Sequence, residues 1–251
     1  MCRDAVPNDR ARTHSLIETP SVAVLAAIKA RDTRGKTMPE RICLACVASM
    51  PVDGAALSLM PEASRLEQVG SSDAMTSGIE ELQATVGEGP AIDAFESGAP
   101  ILIPDLDALD GRWPAFADAS ATREQRAMFV FPLQLGAIRL GTLTLYRRDK
   151  GQLSPDTMAD ALRVADVIAM LLMGSKGDLV GDFAEQWLNE SSWTREIHQA
   201  TGILISQLGV GAEEAFVRLR AFAFAQDLSL SAVARSVVDG RVRLPALDGD
   251  G

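Results

Sequence analysis

The chain has 251 residues, of which 47% are hydrophobic and 23% charged, so it holds enough apolar material for one large domain or two ordinary ones. No apolar run approaches the roughly 20 residues of a membrane-spanning helix, and no secretory signal pattern is seen, which predicts a cytoplasmic protein without a membrane partner. The net charge of −10 has its acidic excess in residues 37–173, whereas residues 193–244 are close to neutral. The basic footprint typical of nucleic-acid binders is therefore faint.

Residues 1–36 are polar and of mixed charge, apart from one amphipathic stretch from Ser15 to Ala30. This pattern predicts an N-terminal extension with one helix that packs on the body or on a partner chain. The extension is expected to be frayed elsewhere, because polar chain ends bury little apolar surface.

The next predicted helix runs from about Pro39 to Met50 and contains a C-x-x-C pair, Cys43 and Cys46. Both cysteines lie on the apolar stripe of this helix. Cysteine packs well as a small hydrophobe, and no second cysteine pair or histidine cluster completes a metal site, so core filling is the favoured interpretation. A redox role for the pair is the alternative, and no metal and no cofactor are predicted.

β-Rich runs in residues 37–173 form two predicted hairpins. The runs pair as Gly54–Met60 with Arg65–Ser71 and as Met128–Leu135 with Ile138–Arg147. Gly136-Ala137 joins the second pair, and a leading glycine suits a type II′ turn. A shorter strand is predicted within residues 99–106.

Helical patterns surround these strands, over residues 73–86, just after Gly89, and from an N-cap at Ser154. The apolar residues of the last helix recur at helical spacing: Leu162, Ala165, Ile168, Ala169 and Leu172. Antiparallel strands with helices before and after them predict an α+β sheet domain over residues 37–173.

Glycines at positions 174, 177 and 181 then break the helical pattern and predict a linker over residues 174–181. Residues 182–244 contain no strand pattern. Three helices are predicted there, at about 182–208, 212–226 and 230–239, followed by a tail over residues 245–251.

The sheet domain resembles the GAF family in the order and spacing of three segments. These are "VGEGPAIDAFESGAPILIPDLD", "RWPAFAD" and "FPLQLGAIRLGTLTLYRRDKGQLSPDTMADALRVAD". The resemblance is to GAF domains of actinobacterial regulators and covers roughly 135 residues. It implies a sheet with helices on its faces and a pocket for a small ligand above the sheet.

The C-terminal module resembles the ANTAR family. The family's pattern of small and apolar residues is carried here by Ala200-Thr201-Gly202, Ala215-Phe216, Leu219-Arg220, Leu230 and Val233-Ala234. Thr201 stands where the commoner family pattern has lysine. The resemblance implies an all-α three-helix module that binds paired RNA stem-loops in antitermination, usually as a homodimer.

Candidate RNA-binding residues follow from this resemblance and from helix geometry. Projection at 100° per residue groups Arg195, Gln199, Gly202 and Ser206 on one polar side of the first module helix. Arginine can pair with phosphate or stack on an unpaired base, glutamine can bind base edges, and glycine permits close approach. The predicted RNA-binding set is Arg195, Gln199, Thr201, Gly202, Arg218 and Arg220, and an ordinary solvated helix face is the alternative.

The second module helix is apolar on two opposite sides. Ala215, Phe216, Leu219, Phe222 and Ala223 form the first side, and Val217, Ala221, Phe224 and Ala225 form the second. One layer of packing cannot satisfy both, so either the sheet domain or a second copy covers the second side. A homodimer is the preferred expectation. His198 is predicted to face solvent or RNA, since no catalytic arrangement surrounds it.

Four residues are predicted to contact the sensor's ligand, namely Glu88, Gly89, Trp113 and Phe131. Glu88 and Gly89 precede a short helix whose N–H groups could bind an anion, although a simple turn explains them equally well. Trp113 is expected to wall the pocket or to anchor a loop, and Phe131 to line the pocket or the core.

The sequence thus predicts a signal-responsive regulator without catalytic residues. Its ANTAR module would bind RNA stem-loops under the control of a GAF sensor for an unknown small ligand. A DNA-binding regulator, a module kept only for dimerisation, and a GAF-type redox enzyme using Cys43 and Cys46 remain as alternatives.

Overall fold

The structure, a computed structural model, describes residues 19–29, 35–61, 65–120, 124–173 and 192–244. The predicted linker 174–181, the predicted tail 245–251, most of the extension and residues 182–191, which were predicted to be helical, lie outside the described residues. Within the described part, no helix is both long and apolar enough to cross a membrane.

The sheet domain contains a five-stranded antiparallel sheet in the order β2-β1-β5-β4-β3. Its strands are β1 (Gly54–Leu59), β2 (Glu67–Ser71), β3 (Ile101–Ile103), β4 (Ala127–Leu135) and β5 (Ile138–Arg147). Both predicted hairpins form. Gly136 has a φ of 60°, and Ala137 does not have a positive φ, which agrees with the predicted type II′ turn.

Helices lie on both faces of this sheet. They are α1 (Pro20–Lys29), α2 (Met38–Ser49), α3 (Ala74–Val86), α4 (Pro90–Ser97), α5 (Pro114–Ser120) and α6 (Pro155–Met173). Several begin at side-chain caps, including a capping box between Thr37 and Glu40, and Asp73, which accepts from the Thr76 amide. Ser154 caps α6 as predicted, since its Oγ accepts from the Thr157 amide at 3.1 Å.

The alternation of side chains along the central strands separates two cores. Leu143 on β5 pairs with Leu57 and Phe131, and all three side chains belong to one core with α2 and α6, on which α1 lies. On the opposite face, Val130 and Tyr146 pack beneath α3, α4 and α5. Of the apolar residues that recur along α6, Ala165, Ile168, Ala169 and Leu172 are buried, whereas Leu162 is 40% exposed.

Three helices follow the sheet domain: α7 (Ser192–Leu208), α8 (Ala212–Ala225) and α9 (Leu230–Val238). They pack on one another through Ala200, Leu204, Leu219, Val233 and other buried side chains. The same apolar cluster continues into the sheet domain, so the helical module is docked on β2 and α3. The predicted α+β domain followed by an all-α three-helix module is confirmed.

Candidate nucleic-acid interface and sensor site

Helix α7 carries an outer stripe formed by Arg195, Gln199, Gly202 and Ser206. All four residues are exposed, on the side of α7 that faces away from the module core. A Cβ atom added at Gly202 would meet nothing within 4 Å, so the backbone of a partner can come close at this point. The structure therefore brings together three of the six residues predicted to bind RNA, on one accessible face.

Thr201 does not belong to the outer stripe. Its side chain is 4% exposed, and its Oγ1 donates to the carbonyl of Ile197 at 2.8 Å, one turn earlier in the helix. Its inclusion among the RNA-binding residues is corrected, because its hydroxyl is used within α7 and faces no partner. The helical projection already places Thr201 on the core side, and only its place in the family motif had suggested contact.

The two predicted arginines of α8 have different surroundings. Arg218 is partly buried and lies 2.5 Å from Glu214, one turn earlier. Arg220 is directed at the sheet domain, where a Cβ atom added at Gly87 would lie 2.7 Å from its Nη1. The Arg220 guanidinium also lies over the Phe216 ring, 6.0 Å from the centroid. Both guanidinium groups therefore contact other groups of the protein, and neither belongs to the outer stripe of α7.

A further arginine lies beside the outer stripe. Arg235 on α9 donates to both carboxylate oxygens of Glu196 on α7, each at 3.1 Å. Hydrogen bonding to Glu196 and its charge raise the pKa of Arg235 above its ordinary value. Arg235 was not among the predicted RNA-binding residues, because the pairing of α7 with α9 cannot be seen in the sequence.

Polar contacts join the module to β2 and to the chain just before it. His198 Nε2 lies 3.0 Å from Glu67 Oε1, while the His198 side chain stays 45% exposed, which agrees with the predicted surface position. Arg65 Nε lies 2.8 Å from the same oxygen, and the Arg65 guanidinium lies over the Phe216 ring at 4.9 Å. These contacts tie α7 and α8 to the edge of the sheet.

The sheet face opposite α6 carries a buried polar cluster of Ser58, Glu80, Gln83, Thr142 and Tyr146. Tyr146 Oη donates to Glu80 Oε1 at 2.5 Å, and Gln83 Nε2 donates to the same oxygen at 3.3 Å. Ser58 Oγ donates to Glu80 Oε2 at 2.7 Å. Burial raises the pKa of the Glu80 carboxyl above its ordinary value, and hydrogen bonds such as that from Tyr146 oppose the rise. The Thr142 hydroxyl is buried without a hydrogen-bond partner among the described residues.

The predicted anion site at the start of α4 is occupied by protein groups. Gln83 Oε1 accepts from the Ala91 amide at 2.8 Å, which removes one of the N–H groups that an anion would need. Glu88 points elsewhere, since its Oε1 accepts from the amides of Ala115 and Phe116 at the start of α5. Gly89 lies against Gln83 and so borders the buried polar cluster.

Trp113 and Phe131 lie at separate places. Trp113 is buried, and its ring lies 4.0 Å from the Arg112 guanidinium and meets Phe116 edge-on. It lines a cleft of about 190 Å³ beside β3, away from the buried polar cluster. Phe131 packs in the core under α2 and α6, on the opposite face of the sheet, so its predicted place in the ligand pocket is corrected. The one-residue alternation of β4 determines which face each side chain takes.

The C-x-x-C pair is part of that same core. Cys43 and Cys46 are fully buried, and both thiols are free. Burial raises the pKa of Cys43 well above its ordinary value and that of Cys46 to about 12. Because the thiolate is the reactive species, these positions fit core filling better than redox chemistry.

Comparison with known proteins identifies the module. The ANTAR domain family matches residues 194–238. No curated protein sequence matches the chain. One similar solved structure is the GAF domain of a phosphoenolpyruvate-protein phosphotransferase from Coxiella burnetii, with 13% identity and a TM-score of 0.46 over 62% of this chain and 93% of that chain. The GAF domain of the Acinetobacter phosphoenolpyruvate-protein phosphotransferase has 10% identity and a TM-score of 0.47 over 62% of this chain and 92% of that chain. Free methionine-R-sulfoxide reductase from Neisseria meningitidis, solved with its substrate, is also similar, with 12% identity and a TM-score of 0.46 over 61% of this chain and 84% of that chain.

Proposed function

Because residues 194–238 form an ANTAR domain, we propose that this chain is an RNA-binding antitermination regulator whose sheet domain acts as a GAF-type sensor. The RNA target would carry two adjacent stem-loops, and the sensor would take a small ligand. The observation that carries the proposal is the outer stripe of α7, an exposed face that combines a cation, an amide and an open glycine.

Each part of the outer stripe has a role in this proposal. Arg195 pairs with phosphate or stacks on an unpaired loop base, and Gln199 forms hydrogen bonds to base edges. Gly202 lets the RNA backbone approach the helix. Arg235, held beside the stripe by Glu196, adds a second exposed guanidinium. In a near-neutral module, such local groups matter more than a general basic charge.

A second copy of this chain is the proposed partner of α8. The sheet domain and the other module helices cover the first apolar side of α8, but Val217, Ala221, Phe224 and Ala225 on the second side remain exposed. Phe224 and Leu228 also line a cleft of about 560 Å³ against α3, which extends the apolar surface. Two copies joined here would present two modules to two stem-loops.

The buried polar cluster is the proposed location of ligand recognition. Glu80, Tyr146 and Ser58 supply hydrogen-bonding groups, and the Thr142 hydroxyl has no partner among the described residues. Gly89 borders this cluster beside Gln83, whereas Glu88 and Trp113 contact α5 and would contribute only through the position of that helix. A ligand there would exchange these internal hydrogen bonds for its own.

The alternatives have less support. In a DNA-binding alternative, α9 would enter a groove of the duplex by its N-terminal end, but the first amides of α9 are bound to Thr85 and Glu81 of the sheet domain. In a redox-enzyme reading, Cys43 and Cys46 would have to react, but both are buried with raised pKa values. We therefore propose a regulator that is not an enzyme.

A selection experiment tests the function and requires no assumption about the sequence of the target transcript. The full chain is used to enrich a random RNA library in which two stem-loops have randomised loop and spacer sequences, with a duplex DNA library run in parallel. The proposal expects enrichment of RNA with two stem-loops at a fixed spacing. Enrichment of duplex DNA alone would favour the DNA-binding alternative, and no enrichment from either library would leave dimerisation as the role of the module.

A further inference from the structure

The two sides of helix α3 contact different parts of the molecule. On its inner side, Glu80 and Gln83 belong to the buried polar cluster. On its outer side, Glu81 and Thr85 contact the first turn of α9 in the ANTAR domain. Consecutive residues of one helix, Glu80 and Glu81, therefore face the ligand site and the nucleic-acid-binding module respectively.

The sheet domain completes the N-terminus of α9. The Leu230 amide donates to Thr85 Oγ1, and the Ser231 amide donates to Glu81 Oε1, both at 3.1 Å. The first amides of a helix have no acceptor within the helix, so they need one from outside. Ser229 satisfies only the Ala232 amide by its side chain. Two of the first three amides of α9 thus depend on side chains of α3.

The C-terminus of α3 holds an arginine of the ANTAR domain. Gly87 is the left-handed C-cap of α3, with a φ of 75°, and the absence of a side chain there makes room for the Arg220 guanidinium. The partial negative charge at a helix C-terminus attracts a cation. In the docked arrangement the Arg220 guanidinium therefore lies against Gly87 of the sheet domain and over the Phe216 ring.

We propose that this docked arrangement is autoinhibited: α3 withholds Arg220 from RNA until the contacts between α3 and α9 open. The proposal rests on the proposed RNA-binding function and adds a mechanism of control to it. Contacts of Glu67 with His198 and of Arg65 with Phe216 belong to the same docked surface and open with it. The outer stripe stays exposed, so the docked form binds RNA weakly and the open form binds it fully.

The ligand site can act on this contact through α3 alone. A ligand that replaces the hydrogen bonds of Glu80 and Gln83 shifts α3, and the shift changes the distance from Glu81 and Thr85 to the α9 amides. A ligand that binds one arrangement better than the other moves the population toward it, and RNA binding responds by the same coupling free energy.

The test uses the full chain and removes one acceptor of the docked contact. Thr85→Val deletes the hydroxyl that binds the Leu230 amide, and Thr85→Ser is the matched control, because it keeps the hydroxyl. Glu81→Ala deletes the second acceptor, and Glu96→Ala on an exposed part of α4 controls for the loss of one negative charge. Two quantities are measured: hydrogen exchange at the Leu230 and Ser231 amides, and affinity for an RNA carrying two adjacent stem-loops.

The expected result is faster exchange at both amides and an RNA affinity raised about two- to tenfold in Thr85→Val and Glu81→Ala, the effect of losing one hydrogen bond. Thr85→Ser and Glu96→Ala should resemble the unmodified chain. Faster exchange with unchanged or weaker RNA binding would overturn autoinhibition, and unchanged exchange would overturn the docked contact itself. If neither the variants nor the unmodified chain binds RNA, the proposed function fails. The exchange rates of the Leu230 and Ser231 amides then still show whether side chains of α3 bind the first turn of α9.

Discussion

Replacing Tyr146 with phenylalanine tests the buried polar cluster directly. The change removes the Oη that donates to Glu80 at 2.5 Å and leaves the ring, which is 1% exposed, in its place. A hydrogen bond to a charged group contributes about 1.5–3 kcal/mol. Burial favours the neutral form of Glu80, which weakens this bond, so the lower part of that range applies.

The expected loss is therefore about 2 kcal/mol in the free energy of unfolding of the sheet domain. For a chain of this size, about 2–4 °C in Tm accompanies each kcal/mol, so Tm should fall by about 4–8 °C. Thermal and urea unfolding followed by circular dichroism at constant pH measure both quantities.

Thr142→Val is the matched control for this prediction. The Thr142 hydroxyl is buried without a hydrogen-bond partner among the described residues, so an apolar group of the same shape should be neutral or slightly stabilising. If Tyr146→Phe destabilises no more than Thr142→Val does, the hydrogen bond to Glu80 does not hold the cluster together. A double-mutant cycle with Glu80→Gln then isolates the pairwise energy.

Three further predictions concern other parts of the molecule. Burial raises the folded-state pKa of Glu80 above its ordinary value of 4.5, so the contribution of Glu80 to stability is complete below pH 4.5 and is lost as the pH rises through the raised pKa. Urea midpoints measured across this pH range should fall for the unmodified chain and fall less for Glu80→Gln. Phe224→Glu should weaken self-association by at least about tenfold in sedimentation, whereas Leu162→Glu, at an exposed leucine of α6, should not; equal effects would contradict the α8 interface. Cys43 and Cys46 should react with a thiol reagent only after unfolding, and rapid labelling of the folded chain would revive the redox alternative.

Patterns confined to neighbouring residues were sufficient to predict most of the fold. The hairpins follow from β-rich runs and a two-residue turn, and α6 follows from Ser154 and helical spacing. Helix α5 was not predicted, because its seven residues are too few to show a period. Helical spacing groups Leu162 with the buried residues of α6, but spacing alone does not show how wide the covered face of the helix is.

Sequence was less informative about the site because the contacts join distant segments. His198 and Glu67 are 131 positions apart, and Leu230 and Thr85 are 145 apart. The approach of Arg220 to Gly87 likewise depends on how the module docks, which no local pattern encodes. The outer stripe of α7 could be predicted, because helix geometry alone determines which residues share a face.

RNA binding across a salt series tests the central claim most directly. The full chain is titrated with an RNA carrying two adjacent stem-loops and with duplex DNA of matching sequence, and Arg195→Ala is compared with Arg163→Ala, an exposed arginine of α6. We predict RNA-selective binding that weakens with salt, and a loss of about one unit of salt slope in Arg195→Ala but not in Arg163→Ala. Absence of RNA binding at low salt, or equal effects of the two substitutions, would contradict recognition of RNA by the outer stripe of α7.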